Sequence, residues 1–233
     1  MKKYIFYTTG LCVAVMAFIS CSDMNDMHDK YLQDGEKTYV GRVDSVRVFS
    51  GNERVLIQYW MTDPRVKTLH ILWNQKRDST VVSVPEHEPP DALEVMVGEG
   101  NGNIAEGDHT FFFYSHDGRS HRSVVFETLV NVYGDRYQAT LVNRSLKGVT
   151  KSGDNELTLT WGGSSSTEET GIEIIFKHTS GEDKSEFIPI EDIGATTVIG
   201  EVDLSSPVQY RTWFKPNPDA IDRFGAPLVR VQL

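Results

Sequence analysis

The sequence predicts an all-β chain built as two tandem sandwich modules joined by a short structured linker, and three observations lead there. From residue 39 onward, apolar residues fall at every second position in short runs, and no long stretch repeats at 3.6 residues. One ordered set of strand patterns occurs twice. The composition, 39% hydrophobic and 10% aromatic, carries enough apolar surface to fold rather than remain disordered.

The repeat is read residue by residue. Gly51-Asn52-Glu53-Arg54-Val55-Leu56-Ile57-Gln58-Tyr59 aligns with Gly153-Asp154-Asn155-Glu156-Leu157-Thr158-Leu159-Thr160-Trp161. Each copy is a polar turn followed by a strand that ends on an aromatic residue. The next strand recurs as Leu69, Ile71 and Trp73 against Ile172, Ile174 and Phe176, and a later one as Phe111 and Phe113 against Tyr210, Thr212 and Phe214. Residues alternating this way point to one face of a sheet, so these positions are the expected cores.

A unit of roughly 90–100 residues with about seven short strands is the pattern of an immunoglobulin or fibronectin type III-like sandwich. The expected boundaries are 38–132 for the first module, 133–145 for the linker and 146–233 for the second. In the linker, Asp135 is expected to cap a short helix, with Tyr137 and Leu141 on one of its faces. In the second module a Pro-rich turn from Pro216 to Gly225 leads to a final strand over Pro227-Leu228-Val229-Arg230-Val231.

Residues 1–20 read as an export leader. Lys2 and Lys3 give a positive start, and residues 4–19 are apolar but too short and interrupted for a stable spanning helix. Phe18-Ile19-Ser20-Cys21 resembles a lipobox, although Phe18 replaces the usual leucine. On this reading Cys21 is lipidated and anchors the chain to the outer membrane; the alternative is an ordinary signal peptide with a chance cysteine. Residues 21–37 then form an acidic tether, with residues 22–37 spanning at most about 55 Å. Its acidic run resembles the surface-export signal of Bacteroidota lipoproteins, which would face the chain outward; a solvated linker facing the periplasm is the alternative.

The net charge of −10 becomes −12 without the leader, because residues 1–20 hold two lysines and no acids, leaving 21 basic against 33 acidic residues. Such a chain without a basic cluster is a poor partner for nucleic acid or for anionic lipid surfaces. The two cysteines are Cys12, inside the leader, and Cys21, so the mature chain would hold no free thiol, disulfide or thiolate metal site.

No catalytic or nucleotide-binding motif is present, and no cofactor or metal is expected. Two clusters hold residue types that could do chemistry. His116-Asp117-Gly118-Arg119-Ser120-His121 holds the residue types of a nucleophilic triad, but they sit on one tight turn and Asp-Gly suits a hairpin. Glu86-His87-Glu88 with Asp91 holds oxygen and imidazole ligands, but in a Pro-bounded loop that reads as a solvated acidic bulge. The glycine-rich segment 98–103 lacks the lysine and following helix of a phosphate loop.

Outward-facing aromatics are the candidate ligand-binding residues: Trp60, Phe112, Tyr114 and Trp213. If Phe111 and Phe113 point inward, Phe112 and Tyr114 point outward beside Leu72 and His70. Trp60 follows the inward Tyr59 and carries the most weight, because it has no counterpart in the second copy, where Gly162 takes its place. Exposed rings suit the apolar faces of sugars; the alternative is that they pack on the linker helix or the other module.

Residues 39–144 resemble a domain-of-unknown-function family of Bacteroidota surface lipoproteins. The residues that carry the likeness are Tyr39-Val40-Gly41-Arg42-Val43-Asp44-Ser45, Gly51-Asn52-Glu53-Arg54, Asp63-Pro64, Trp73-Asn74, Glu106-Gly107, and Tyr133-Gly134-Asp135 with Tyr137, Leu141 and Asn143-Arg144. The resemblance implies a fibronectin-like fold and company with SusC/SusD-type outer-membrane proteins of glycan uptake. It supplies no catalytic residues. The expected function is a non-catalytic binding or spacer lipoprotein whose partner is a polysaccharide. The alternative is a structural or assembly lipoprotein that contacts a transporter or fimbria-like protein, and a hydrolase ranks last for want of a site.

Overall fold

The computed structural model describes residues 38–99, 102–164 and 166–233. The leader, Cys21 and the acidic tether therefore lie outside the described residues.

The first module uses seven strands: β1 (Ser45–Ser50), β2 (Val55–Trp60), β3 (Thr68–Trp73), β4 (Asp78–Ser83), β5 (Leu93–Val97), β6 (Gly107–His116) and β7 (Phe126–Val132). They form two antiparallel sheets, β1-β2-β5 and β4-β3-β6-β7. The period-2 pattern is realised in the packing. Val55, Ile57 and Tyr59 from one sheet meet Leu69, Ile71, Trp73, Phe111 and Phe113 from the other, all buried in one cluster. The Trp73 and Phe111 rings lie 6.1 Å apart. Each such side chain contributes about 1.5–3 kcal/mol of burial.

The second module repeats the plan with β8 (Leu146–Ser152), β9 (Glu156–Trp161), β10 (Glu169–Lys177), β11 (Asp183–Pro189), β12 (Thr196–Ile199), β13 (Gln209–Phe214), β14 (Phe224–Gly225) and β15 (Val229–Arg230). Its sheets run β12-β9-β8 and β11-β10-β13, with β14 and β15 both pairing to β13. The second strand of each module is central in the small sheet, and the third and sixth are central in the large one. This shared order makes the chain two tandem sandwiches of fibronectin type III-like topology. Leu157, Leu159, Trp161, Ile172, Ile174, Phe176 and Tyr210 fill the second core, as the repeat predicted. The final strand differs from expectation: it is split into β14 and β15 around Pro227, which has no N–H to give to a ladder. The preceding turn accordingly ends at Arg223.

Helix α1 (Asp135–Thr140) stands between the sandwiches. Asp135 is not its cap: Gly134 holds that position without a side-chain bond, and Leu141 has already left helical geometry. The orphan N–H groups are met instead by Glu106, which accepts from Arg136 N at 2.7 Å and Tyr137 N at 2.8 Å. A carboxylate at a helix N-terminus also meets the positive end of the backbone dipoles.

Both sandwiches belong to one compact unit, Val40–Leu233, and the contacts that join them are specific. Asp222 accepts Asn52 N at 2.8 Å and both Arg54 Nε at 2.9 Å and Nη2 at 2.6 Å. The Arg54 hydrogen bonds hold the Asp222 carboxyl below the usual carboxylate range. Ile221 N donates to Ser50 O at 2.8 Å. Gly51 permits this approach, since a Cβ there would sit 2.7 Å from Ile221 Cγ1. The rings of Tyr133, Tyr137 and Phe224 pack mutually edge to face. Entry to the second module is fixed by Asn143, which accepts Thr212 N and donates to Pro227 O, and by the buried Arg144–Glu169 pair at 2.6 Å.

Candidate functional site

The four outward aromatics occupy three different surroundings. Trp60 closes β2 opposite Ser45 of β1 and is half-buried on the outer side of the small sheet. Phe112 and Tyr114 lie on the outer side of the large sheet of module one, paired with Leu72 and His70. Their faces are roofed by cations. Lys76 Nζ stands 4.4 Å from the Phe112 centroid and 3.3 Å from Tyr114 Oη, and the Arg122 guanidinium is 4.7 Å from the Tyr114 centroid. Lys76 reaches there through a left-handed turn, with φ of 48, 57 and 66° at Asn74, Gln75 and Lys76. Non-glycine residues in that region cost about 1–2 kcal/mol each.

Trp213 is the third case. It lies on the outer side of the large sheet of module two, in register with Gly171 of β10 on one side and Gly225 of β14 on the other. Glycine inside a strand marks a close approach, and here both gaps are used. The Phe187 ring leans over Gly171, and the Arg211 stem leans over Gly225, where an added Cβ would come within 3.0 Å. Arg211 places its guanidinium 4.4 Å from the Trp213 centroid. Trp213 Nε1 donates to Glu173 at 2.8 Å. Glu173 also accepts Arg211 Nε at 2.6 Å and Ser185 Oγ at 2.6 Å. Burial pushes the Glu173 carboxyl upward, but these donors outweigh it and hold the group below its ordinary value.

Trp213, Glu173, Phe187, Ile221, Asp222 and Arg223 line an open cleft of about 460 Å³. Arg223 lies over the Phe187 ring at 5.1 Å and makes no ion pair among the described residues. Phe187 itself is 39% exposed. Phe187, Glu173, Arg211 and Arg223 were not reached from sequence, because they assemble only through the β10–β11 register and the return of residues 216–223. The glycines flanking Trp213 across the sheet were the available signal.

The other two clusters resolve into structure. The turn after β6 is wider than a two-residue Asp-Gly hairpin: His116 bridges to Arg122, leaving five residues between them. Asp117 organises it by accepting Arg119 N at 2.8 Å, His121 N at 3.3 Å and His121 Nδ1 at 2.6 Å, and Gly118 takes a φ of 76°. Among the described residues no hydrogen bond links Ser120 to His121. The Glu86-His87-Glu88 loop is tied down rather than merely solvated. His87 Nε2 meets Met61 O at 2.6 Å and Nδ1 meets Pro85 O at 2.9 Å. Two carbonyl acceptors favour the doubly protonated ring, so these bonds, Met61 first, raise its pKa. Among the described residues no group of three or more His, Cys, Asp or Glu side chains is placed to hold a metal, and no helix is long and apolar enough to cross a membrane.

Strand order and register define the class: two tandem β-sandwiches of fibronectin type III-like topology. The chain belongs to the DUF4998 family, a domain of unknown function, whose model matches residues 21–224. The match therefore runs through both sandwiches, beyond the 39–144 over which the likeness was read. No curated protein matches the sequence. Among solved structures, the chain is similar to the FN1–FN3 domains of chicken CNTN1, at 8% identity and a TM-score of 0.44, over 84% of this chain and 68% of that one. It is also similar to a two-domain fibronectin type III segment of chicken tenascin, at 11% identity and a TM-score of 0.31, over 82% of this chain and all of that one. The fold assignment rests on strand order and register rather than on these likenesses.

Proposed function

We propose that this protein is an outer-membrane lipoprotein, anchored through Cys21 and facing the cell exterior, that serves as a non-catalytic glycan-binding component beside a SusC/SusD-type uptake complex. The observation that carries the binding half is the Trp213 cleft: a half-buried indole and an exposed phenylalanine share an open depression on a rigid sheet. An open, ring-lined cleft suits one stretch of a long polymer, where an enclosed cavity would suit a small metabolite. The anchoring half is supported by the Lys-start, the apolar leader and Ser20-Cys21.

Trp213 replaces Trp60 as the leading residue. All three of these rings carry a cation on one face, Arg211 on Trp213 included; Trp213 is set apart from Phe112 and Tyr114 by the cleft it shares with Phe187. Affinity electrophoresis across plant, host and microbial polysaccharides tests the binding, with Trp213→Ala alongside. Retardation that disappears in the variant is expected, without release of reducing sugar. Retardation by no glycan would remove the reading. Labelling with a palmitate analogue tests the anchor: Cys21→Ala is expected to lose both label and membrane association.

The assembly-protein reading draws on a different surface. The outer side of the large sheet of module one carries Val81 at 56% and Leu129 at 69% exposure, apolar side chains suited to a protein contact. Co-purification of filament subunits instead of a transporter from native outer membrane would favour it.

A further inference from the structure

We infer that the Trp213 cleft recognises an acidic saccharide, with the guanidinium of Arg223 receiving the carboxylate of a uronic-acid unit while Phe187 and Trp213 carry the apolar ring face. This rests on the glycan reading above and narrows it.

Most polar groups of the cleft are already engaged. Glu173 accepts three hydrogen bonds, from Arg211, Trp213 and Ser185. Asp222 is held by Asn52 N and, through two bonds, by Arg54. The indole N–H of Trp213 is committed to Glu173. Neither carboxylate is left to bind the hydroxyls of a neutral sugar with full strength. The polar group lining the cleft without a committed partner is Arg223, which has one face on Phe187 and its N–H edge unpaired.

Charge agrees with that reading. Glu173 is matched by Arg211, and Asp222 by Arg54, which also pairs with Glu99 at 3.2 Å, so Arg223 is the cation lining the cleft that has no acidic partner among the described residues. Stacking on an aromatic ring holds a guanidinium flat and keeps its donor edge free, and that planar fork matches a carboxylate with two parallel hydrogen bonds. In a uronic acid the carboxylate is attached directly to the pyranose ring. One unit can therefore lay its C–H face on the rings while its anion meets the neighbouring arginine.

The test uses the full chain in detergent and gels containing polygalacturonate, alginate or hyaluronan, each beside its carboxyl-reduced neutral form. At least one acidic polymer is expected to retard the protein. Carboxyl reduction and Arg223→Gln should each weaken that binding about tenfold or more, equivalent to roughly 1.4 kcal/mol, and added salt should weaken it too. Phe187→Ala and Trp213→Ala should reduce binding to acidic and reduced polymers alike. Arg223 is exposed and makes no ion pair among the described residues, so Arg223→Gln should melt close to the parent. Equal binding of acidic and reduced polymers, or an acidic polymer indifferent to Arg223→Gln, overturns the carboxylate assignment and leaves the glycan reading standing. Failure of every polymer, acidic and neutral, overturns both.

Discussion

The joint between the sandwiches and the outer sheet face around Trp213 are neighbours in the fold, since Ile221 and Asp222 serve both, yet they are built to different ends. At the joint, each polar group meets two partners: Asp222 with Arg54 and Asn52, Glu106 with Arg136 N and Tyr137 N of α1, Asn143 with Thr212 and Pro227. At the Trp213 face, rings stay half-exposed and Arg223 stays unpaired. Gly51, Asn52, Arg54, Glu106, Gly134, Tyr133, Tyr137, Asn143 and Arg144, which carried much of the family resemblance, gather at the joint or at the entry to module two. The recognisable pattern thus encodes how two sandwiches are fixed together. The residues of the proposed binding cleft lie elsewhere and belong to no motif.

That contrast can be broken from the joint side first, where the effects on stability should be largest. Glu169→Gln removes one partner of the buried Arg144 pair and should cost about 3–5 kcal/mol, read by denaturant unfolding. Tyr59→Ala should cost a similar ~3–5 kcal/mol in the first core. Asp222→Ala leaves Arg54 and Asn52 N without their acceptor and should cost about 1.5–3 kcal/mol. Gly51→Ala should cost ~1–3 kcal/mol by wedging the same contact apart. Either joint variant is expected to separate one calorimetric transition into two, while a single sharp transition would show that the modules are coupled by other contacts.

Protonation offers a finer probe of the same contact. The folded pKa of Asp222 is depressed, so its contribution is complete above the unfolded carboxyl value of about 3.9. It is lost as pH falls through the lower folded value. Asp222→Asn should therefore flatten the acid limb of a melting-temperature profile below about pH 4. For His87 the sign reverses: its raised folded pKa means the loop contacts are fully present below about pH 6.5 and weaken as pH rises through the folded value. A histidine titration followed by NMR checks this, and His87→Gln should remove the alkaline loss. The smallest effect on stability belongs to the cleft. Arg223→Gln should melt within about 0.5 kcal/mol of the parent, whatever it does to binding.

The two cores were legible because strand periodicity is local: once Val55, Ile57 and Tyr59 were inward, Phe112 and Tyr114 had to face out. The sequence copy of this pattern made Leu157, Leu159 and Trp161 readable in the same way. Long-range partners were not legible. Nothing around Asp135 shows that its helix is capped by Glu106, about thirty residues earlier. Nothing around Arg54 points to Asp222, 168 residues away. The cleft failed for the same reason. Trp213 was singled out, but Phe187 and Arg223 reach it through sheet register and a returning loop. Trp60 drew the most weight from sequence because it lacked a counterpart in the repeat, and uniqueness in a repeat says nothing about a neighbouring cavity.

The four tryptophans allow a direct decision, because Trp73 and Trp161 are buried at 6% exposure each and Trp60 and Trp213 are the two half-buried ones. Intrinsic fluorescence should be titrated with the polysaccharide that retards the parent protein, using the parent, Trp60→Phe and Trp213→Phe. The ligand-induced change should persist in Trp60→Phe and vanish in Trp213→Phe. A change that survives in Trp213→Phe and is lost in Trp60→Phe would contradict that, moving the binding surface to the small sheet of the first module.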